Sequence, residues 1–367
     1  MPMIPYRTLG RSGLVVSPLA LGTMTFGVDR WGMERNDAEA VFDAYVEAGG
    51  NLVDTADVYA GGRSEEMLGA IIADRGMRDS IVLATKSGFS AAKGAHAGGN
   101  GAKHIHAALD GSLRRLATDH IDLYWVHIWD AVTPADDLLE TMAGLVRSGK
   151  IRYWGISNAP AWYVARIATL AAARAMPGPI AMQYFYSLVS REIEAEHLPL
   201  AREMGLGMMP WSPLAYGLLT GKYDRATVEA GGPRAMGLPS EAGTGTARPE
   251  GDKRLDGSNP FGDSLFTDRN WRIVDVLKTV AAELGEPPAR VALAWVLSRP
   301  GVDTALMGVS RVSQVQDNVA ATELRLPKEQ IAVLDEASKP ENAMLYGLFT
   351  PDARQALVFG GHPVVGR

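Results

Sequence analysis

At 367 residues the chain exceeds one ordinary domain but suits a single α/β barrel with insertions. Its 47% hydrophobic content allows a large core and excludes a wholly disordered chain, and its net charge of -6, without blocks of like charge, argues against a broad nucleic-acid surface. It has no cysteine, which excludes disulfides, thiolate catalysis and thiolate metal sites.

The N-terminal MPMIPYRTLGRSG lacks the apolar stretch of a secretory leader, and charge, glycine or proline breaks every apolar run before the length of a membrane span. A cytoplasmic protein without membrane contact is the expectation. YRTL and LVVS flank the turn GRSG and predict a small hairpin within residues 1–17. A regular alternation follows. Short apolar runs predict strands at 18–23, 51–55, 81–86, 121–127, 151–157, 179–184, 206–212 and 303–308. Helical patterns lie at 36–50, with Asn36 as cap, then 64–76 opening on Ser64, 103–117, 135–149, 160–174, 191–204, 270–298 and 310–321. Near-continuous apolar strands alternating with amphipathic helices imply a parallel sheet covered by helices. Eight such units predict one domain over 1–367, a (β/α)8 TIM barrel.

Three segments break the rhythm. Residues 87–102 are small and Gly-rich, which predicts a flexible loop after the third strand. Residues 213–268 form a loop after the seventh strand, far longer than usual and therefore expected to be functional or disordered. The tail, 340–367, carries Phe349, Phe359 and Pro363, which suit folding over the same face or disorder.

Barrel enzymes carry catalytic groups at the C-terminal ends of several strands. Here Asp54 ends the second strand with Tyr59 in the loop beyond it, Lys86 ends the third, and His127 ends the fourth. Singly, these read as a turn carboxylate, a packed phenol, a solvated lysine and a core histidine. On successive strand ends they form a proton-handling set. An ammonium beside the phenol favours phenolate and lowers its pKa from about 10. Asp54 can hold Lys86 charged, and His127 can hydrogen-bond a carbonyl oxygen or share a proton with the phenol. One Asp and one His are too few for a metal, and His96, His104 and His106 lie in or just after the Gly-rich loop, so no metal is expected.

LALGTMTFG (19–27), VDTADVYAGGRSEEMLG (53–69), DLYWVHIWDAVTP (122–134), GKIRYWGISN (149–158), QYFYSLVSR (183–191), PWSPLAYGLLTGKY (210–223) and GVSRVSQVQDN (308–318) resemble, in order, segments of the aldo-keto reductase superfamily, in the style of its bacterial and potassium-channel-β-like branches. The resemblance implies hydride transfer between a nicotinamide cofactor and a small-molecule carbonyl or alcohol. It makes Tyr59 the general acid, Lys86 and Asp54 the pair that tunes it, and His127 the residue that orients the carbonyl. The family often has glycine directly after the tyrosine, where this chain has Ala60.

No GxGxxG joins a strand to a helix, so a Rossmann site is not indicated. The resemblance places the cofactor at the barrel mouth instead. It implies Ser157, Asn158 and Gln183 at the carboxamide, Trp211 stacked on the nicotinamide, and Gly22, Thr23 and Met24 near its ribose, beside Asp54. Ser212, Leu214, Gly217 and Leu219 match the segment that cradles the pyrophosphate, and Gly308, Ser310, Arg311, Gln314 and Asn318 the adenosine end. An arginine at a helix N-terminus suits a 2′-phosphate, so Arg311 tilts the expectation to NADP(H) over NAD(H). Phe26, Trp31, Tyr59, His127, Trp129 and Tyr216 are the expected substrate-pocket walls. Two functions fit: an NADPH-dependent aldehyde or ketone reductase, reversible towards alcohol oxidation, or a cofactor-binding regulatory subunit like the potassium-channel β subunits.

Overall fold

A computed structural model describes residues 3, 5–29, 32–90, 92–231, 255, 261–341 and 344–364. Two short antiparallel strands, β1 (Arg7–Thr8) and β2 (Val15–Val16), form the expected hairpin. All eight anticipated barrel strands follow: β3 (Leu19–Gly22), β4 (Leu52–Asp54), β5 (Val82–Ser87), β6 (Ile121–Val126), β7 (Ile151–Ser157), β8 (Ala181–Gln183), β9 (Gly207–Met208) and β10 (Ala305–Gly308). They pair in parallel in the order β10-β3-β4-β5-β6-β7-β8-β9. The last gap is bridged where Asp303 N–H donates to the Met208 carbonyl at 3.1 Å and Leu306 N–H to the Pro210 carbonyl at 2.8 Å. The architecture is that of a (β/α)8 barrel.

The helices are α1 (Arg35–Glu47), α2 (Arg63–Asp74), α3 (Ala102–Arg115), α4 (Ala135–Arg147), α5 (Ala161–Ala173), α6 (His197–Met204), α7 (Arg225–Ala230), α8 (Asp268–Leu284), α9 (Pro288–Leu297), α10 (Val312–Val319), α11 (Lys328–Ala337), α12 (Met344–Gly347) and α13 (Pro351–Leu357). The helix expected at 270–298 is two. Gly285 closes α8 in the left-handed region (φ 66°), and Pro287 and Pro288 preset the start of α9. The segment 191–204 opens as a 3-10 turn, Glu192–Glu194, before α6. Asn36 is not the cap of α1, which starts one residue earlier after Glu34 and has no side-chain cap bond.

Two apolar layers result. One lies between the sheet and its helices. The other fills the barrel itself: Ala20, Leu52, Ala84, Leu123, Trp125, Ala181, Met209 and Leu306, with Leu9 and Val16 of the hairpin beneath them. Trp125 fits there because β7 has glycine opposite; a Cβ on Gly155 would lie 2.3 Å from the Trp125 ring. The hairpin stoppers the end where the strands begin. Its Gly10 N–H donates to Asp303 Oδ2 at 2.8 Å, and a Cβ on Gly10 would lie 2.5 Å from Gly207 N. The opposite end, where the strands stop, is not covered by the hairpin, and strand alternation chooses the residues that face it. Positions two beyond the interior layer face inward again: Gly22, Asp54, Lys86, His127, Gln183, Trp211 and Gly308, with Ser157 two beyond Gly155.

Trp31 and, of the long loop after β9, residues 232–254 and 256–260 lie outside the described residues. In the part described, Leu255 is buried and its N–H donates to Tyr223 OH at 3.0 Å. The tail forms α12 and α13 with no buried residue in either, and Tyr346 OH donates to Glu196 Oε1 at 2.5 Å.

Candidate active site

The uppermost inward layer holds the candidate catalytic groups. Lys86 and Asp54 are 1% and 2% exposed and form an ion pair, Lys86 Nζ donating to Asp54 Oδ1. The ammonium also donates to the Thr55 carbonyl at 2.7 Å and lies 3.5 Å from Tyr59 OH. Gln183 Nε2 donates to the other Asp54 oxygen at 3.1 Å. Burial pushes the Asp54 carboxyl up, opposed by Lys86. Burial alone would lower the Lys86 ammonium, but Asp54 and then Tyr59 hold it above its ordinary value. The pair survives desolvation because each charge has more than one partner.

Tyr59 reaches this pair through a strained turn. After the phenol, Ala60, Gly61 and Gly62 are all left-handed, with φ of 51°, 66° and 98°. For the two glycines that costs little; for Ala60 it costs roughly 1 kcal/mol. Ser64 then lies inside α2 rather than at its cap. Its buried hydroxyl donates to the Thr23 carbonyl at 2.8 Å and meets the Thr23 and Thr55 hydroxyls at 2.9 and 3.0 Å. One expectation reverses. Burial is the largest influence on the Tyr59 phenol and holds it above its ordinary value, with Lys86 pulling it down. The phenol rests as an acid.

His127 sits with its ring 6.0 Å from that of Tyr59, edge-on. Burial, then the nearby Lys86 charge, depress it well below 6.5, so it is neutral, and its Nδ1 is buried without a hydrogen-bond partner among the described residues. Phe89 packs edge-on against it at 4.4 Å. Phe89 belongs to the Gly-rich stretch, which is drawn closed: Gly99 N–H donates to the Gly88 carbonyl at 2.8 Å, Asn100 Nδ2 to the Ile128 carbonyl at 2.7 Å, and Asn100 N–H to Asp130 Oδ2 at 2.8 Å.

Asn158 (φ 50°) links two elements of the site. Its Nδ2 donates to the His127 carbonyl at 3.0 Å, and its Oδ1 accepts from Trp211 Nε1 at 3.1 Å. Ser157 Oγ donates to the Gln183 carbonyl at 2.8 Å. Trp211 stacks on Phe185 at 4.8 Å, and Tyr216 and Phe261 extend this aromatic wall. Ser212 and the run Ala215, Tyr216, Gly217 are again left-handed, and Leu214 precedes that run. Leu219 is fully buried, Gly22 and Met24 are half-buried, and the Thr23 hydroxyl is enclosed by Asp54 O and Ser64. Phe26 is fully enclosed in the outer core, so it backs the mouth rather than walling it, while Trp129 is half-buried against Trp162 and Tyr163. Phe89, Phe185 and Phe261 are the residues that sequence reasoning missed. Phe185 lies two residues after Gln183 in QYFYS, but nothing in the strand pattern distinguishes a mouth aromatic from a core one.

The turn from β10 into α10 carries the remaining candidates. Gln314 Oε1 accepts from Ser310 N–H at 2.7 Å, and Asn318 is buried. Arg311 occupies the N-cap position, exposed and without an ion pair among the described residues, and no side-chain cap bond is made to α10. Exposed Gly308, the uncapped N–H groups and this arginine fit an anionic group. No His, Asp and Glu cluster suited to a metal occurs among the described residues.

A buried lysine–carboxylate pair beside a phenol at a barrel mouth, with a neutral histidine close by, is an arrangement suited to proton transfer in a barrel oxidoreductase. The match to the Aldo/keto reductase family model over residues 18–339 settles which: the chain belongs to that family. It is 37% identical to the uncharacterized oxidoreductase YrpG of Bacillus subtilis over 90% of this chain and 95% of that protein. It is 35% identical to a probable voltage-gated potassium channel subunit beta of Oryza sativa over 93% and 99%. It is 32% identical to norsolorinic acid reductase B of Aspergillus parasiticus over 90% and 84%.

Proposed function

We propose that this protein reduces aldehydes or ketones with NADPH, with Tyr59 as the general acid. The observation that carries the reading is Lys86, paired with Asp54 and 3.5 Å from Tyr59 OH. The nicotinamide, when bound, supplies the hydride. Every other task falls to the chain. Tyr59 donates its proton to the carbonyl oxygen as charge develops there, and the Lys86 ammonium stabilises the phenolate left behind. Asp54 and Gln183 keep Lys86 charged and in place. Neutral His127 hydrogen-bonds the carbonyl oxygen without competing as an acid.

Asn158, Ser157, Gln183 and Trp211 would hold the nicotinamide end. Ser212, Leu214, Gly217 and Leu219 would line the pyrophosphate, and Gly308, Ser310, Arg311, Gln314 and Asn318 the adenosine phosphate. Arg311 supports the choice of NADPH, since an exposed guanidinium at a helix N-terminus, without an ion pair among the described residues, suits a 2′-phosphate. The aromatic wall of Phe185, Trp211, Tyr216 and Phe261, with Phe89 and Trp129, favours a bulky apolar substrate. The test is loss of reduced-nicotinamide absorbance with NADPH and a panel of aldehydes, quinones and bulky ketones. Turnover that disappears in Tyr59→Phe supports the reading. No consumption with any of them, in a protein that still binds NADPH, moves the assignment to a cofactor-binding regulatory subunit, the reading supported by the channel-subunit relatives.

A further inference from the structure

Behind the catalytic layer, on the outer side of β5, lies a second group of charges with no part in the chemistry above. Glu65 of α2 is fully buried. It accepts from Thr85 Oγ1 at 2.5 Å and from Arg115 Nε of α3 at 2.6 Å, and the Arg115 Nη2 is also 2.6 Å from it. Asp57 lies near enough to feel both Glu65 and Arg115, and it is 7% exposed. Its Oδ1 is buried with no hydrogen-bond partner among the described residues. The single arginine is already committed to Glu65.

Asp57 is two residues before Tyr59 in the turn that carries the phenol. Its N–H donates to the Lys86 carbonyl at 3.1 Å, and Tyr59 N–H donates to the Ala56 carbonyl at 3.1 Å. The turn is therefore hung on β5 at Lys86, and it carries the buried Asp57 carboxyl. A neutral carboxyl tolerates that place. A carboxylate there lacks a donor at Oδ1 among the described residues, repels Glu65 and is out of water, a combination that is unfavourable unless the group moves towards solvent.

We propose that Asp57 is a positioning residue for Tyr59, holding the phenol in reach of Lys86 only while its own carboxyl is uncharged, so that ionising it releases the turn and switches the site off. The inference rests on the reductase reading for its consequence, not for its geometry. The groups facing the carboxyl agree with it. Burial and then Glu65 push Asp57 up to about 7, against Arg115, the Val58 N–H and Lys86. A raised carboxyl binds more protons in the folded than in the unfolded chain. Its contribution is therefore intact below the unfolded value near 4 and is lost as pH rises to about 7.

The test compares wild type with Asp57→Asn, an uncharged isostere, by amide exchange of residues 56–63 corrected for intrinsic rate, at about pH 4.5 and about pH 8.5, and by the pH profile of kcat. The expected result is equal protection at the lower pH, and loss of protection in the wild-type turn alone at the higher. Wild-type kcat should fall about tenfold per pH unit above about 7, and this limb should be missing in Asp57→Asn with KM little changed. Glu65→Gln, which removes the repelling charge and frees Arg115, should move the transition to lower pH; this variant also decides the matter if Asp57→Asn does not fold. A wild-type turn that keeps its protection at pH 8.5, or the same loss in Asp57→Asn, overturns the proposal, as does a Glu65→Gln transition that stays in place. Absence of turnover in every protein would defeat the reductase reading, while exchange still decides the role of Asp57.

Discussion

The two ends of the proposed cofactor path are built differently. At the nicotinamide end, Asp54, Lys86 and Gln183 are nearly inaccessible, and each side chain is held by a neighbour from another strand. At the adenosine end, Arg311 stands exposed on a surface turn, without an ion pair among the described residues, and the internal tie there runs from Gln314 back to Ser310. A buried polar layer is over-determined: a change at one member strands another. A surface turn is under-determined, and changes there read out in binding with little effect on folding.

Four substitutions break or sharpen this contrast. Lys86→Met should have the largest effect. It leaves the Asp54 carboxylate buried without its partner, a cost of about 3–5 kcal/mol in denaturant unfolding. Combining it with Asp54→Asn should restore most of the stability but none of the activity. If the single and double variants are equally stable, the pair is not the coupled unit described. Tyr59→Phe should lower kcat by about 10² to 10⁴ while NADPH titration by fluorescence stays near wild type. Near-normal kcat would remove Tyr59 as the acid.

Arg311→Ala acts at the other end. It should weaken NADPH about tenfold relative to NADH, the effect of one charge-assisted contact, with a thermal transition close to wild type. Equal weakening of both cofactors would defeat the 2′-phosphate role. The smallest effect is expected at Ala60→Gly. Relief of the left-handed alanine (φ 51°) is offset by the entropy of glycine, so the gain in unfolding free energy should be about 0.5 kcal/mol or less. A clear loss of stability would show that the Ala60 methyl packs to advantage.

The barrel was legible because buried parallel strands write themselves as apolar runs, and all eight runs became strands. The four groups Asp54, Tyr59, Lys86 and His127 were legible because strand ends are identifiable from the same runs. Inward direction then follows from alternation, counted from Leu52, Ala84 and Trp125. Where prediction slipped, local signals competed with each other. Gly285 and Pro287 ended and restarted a helix inside one amphipathic pattern, and Asn36 and Ser64, good caps by type, were absorbed one turn or less inside their helices.

Composition and periodicity by themselves determined the fold class, the face that holds the site and the residue types available for proton transfer, since these depend on local pattern and strand parity. The tertiary structure decided what those residues experience. It raised the Tyr59 phenol where an adjacent ammonium alone predicted the opposite, enclosed Phe26, brought Phe89 against His127, and buried Asp57 of the tyrosine turn near Glu65. The physical reason is desolvation. Burial is set by every element packed around a group, and no stretch of sequence carries that information alone.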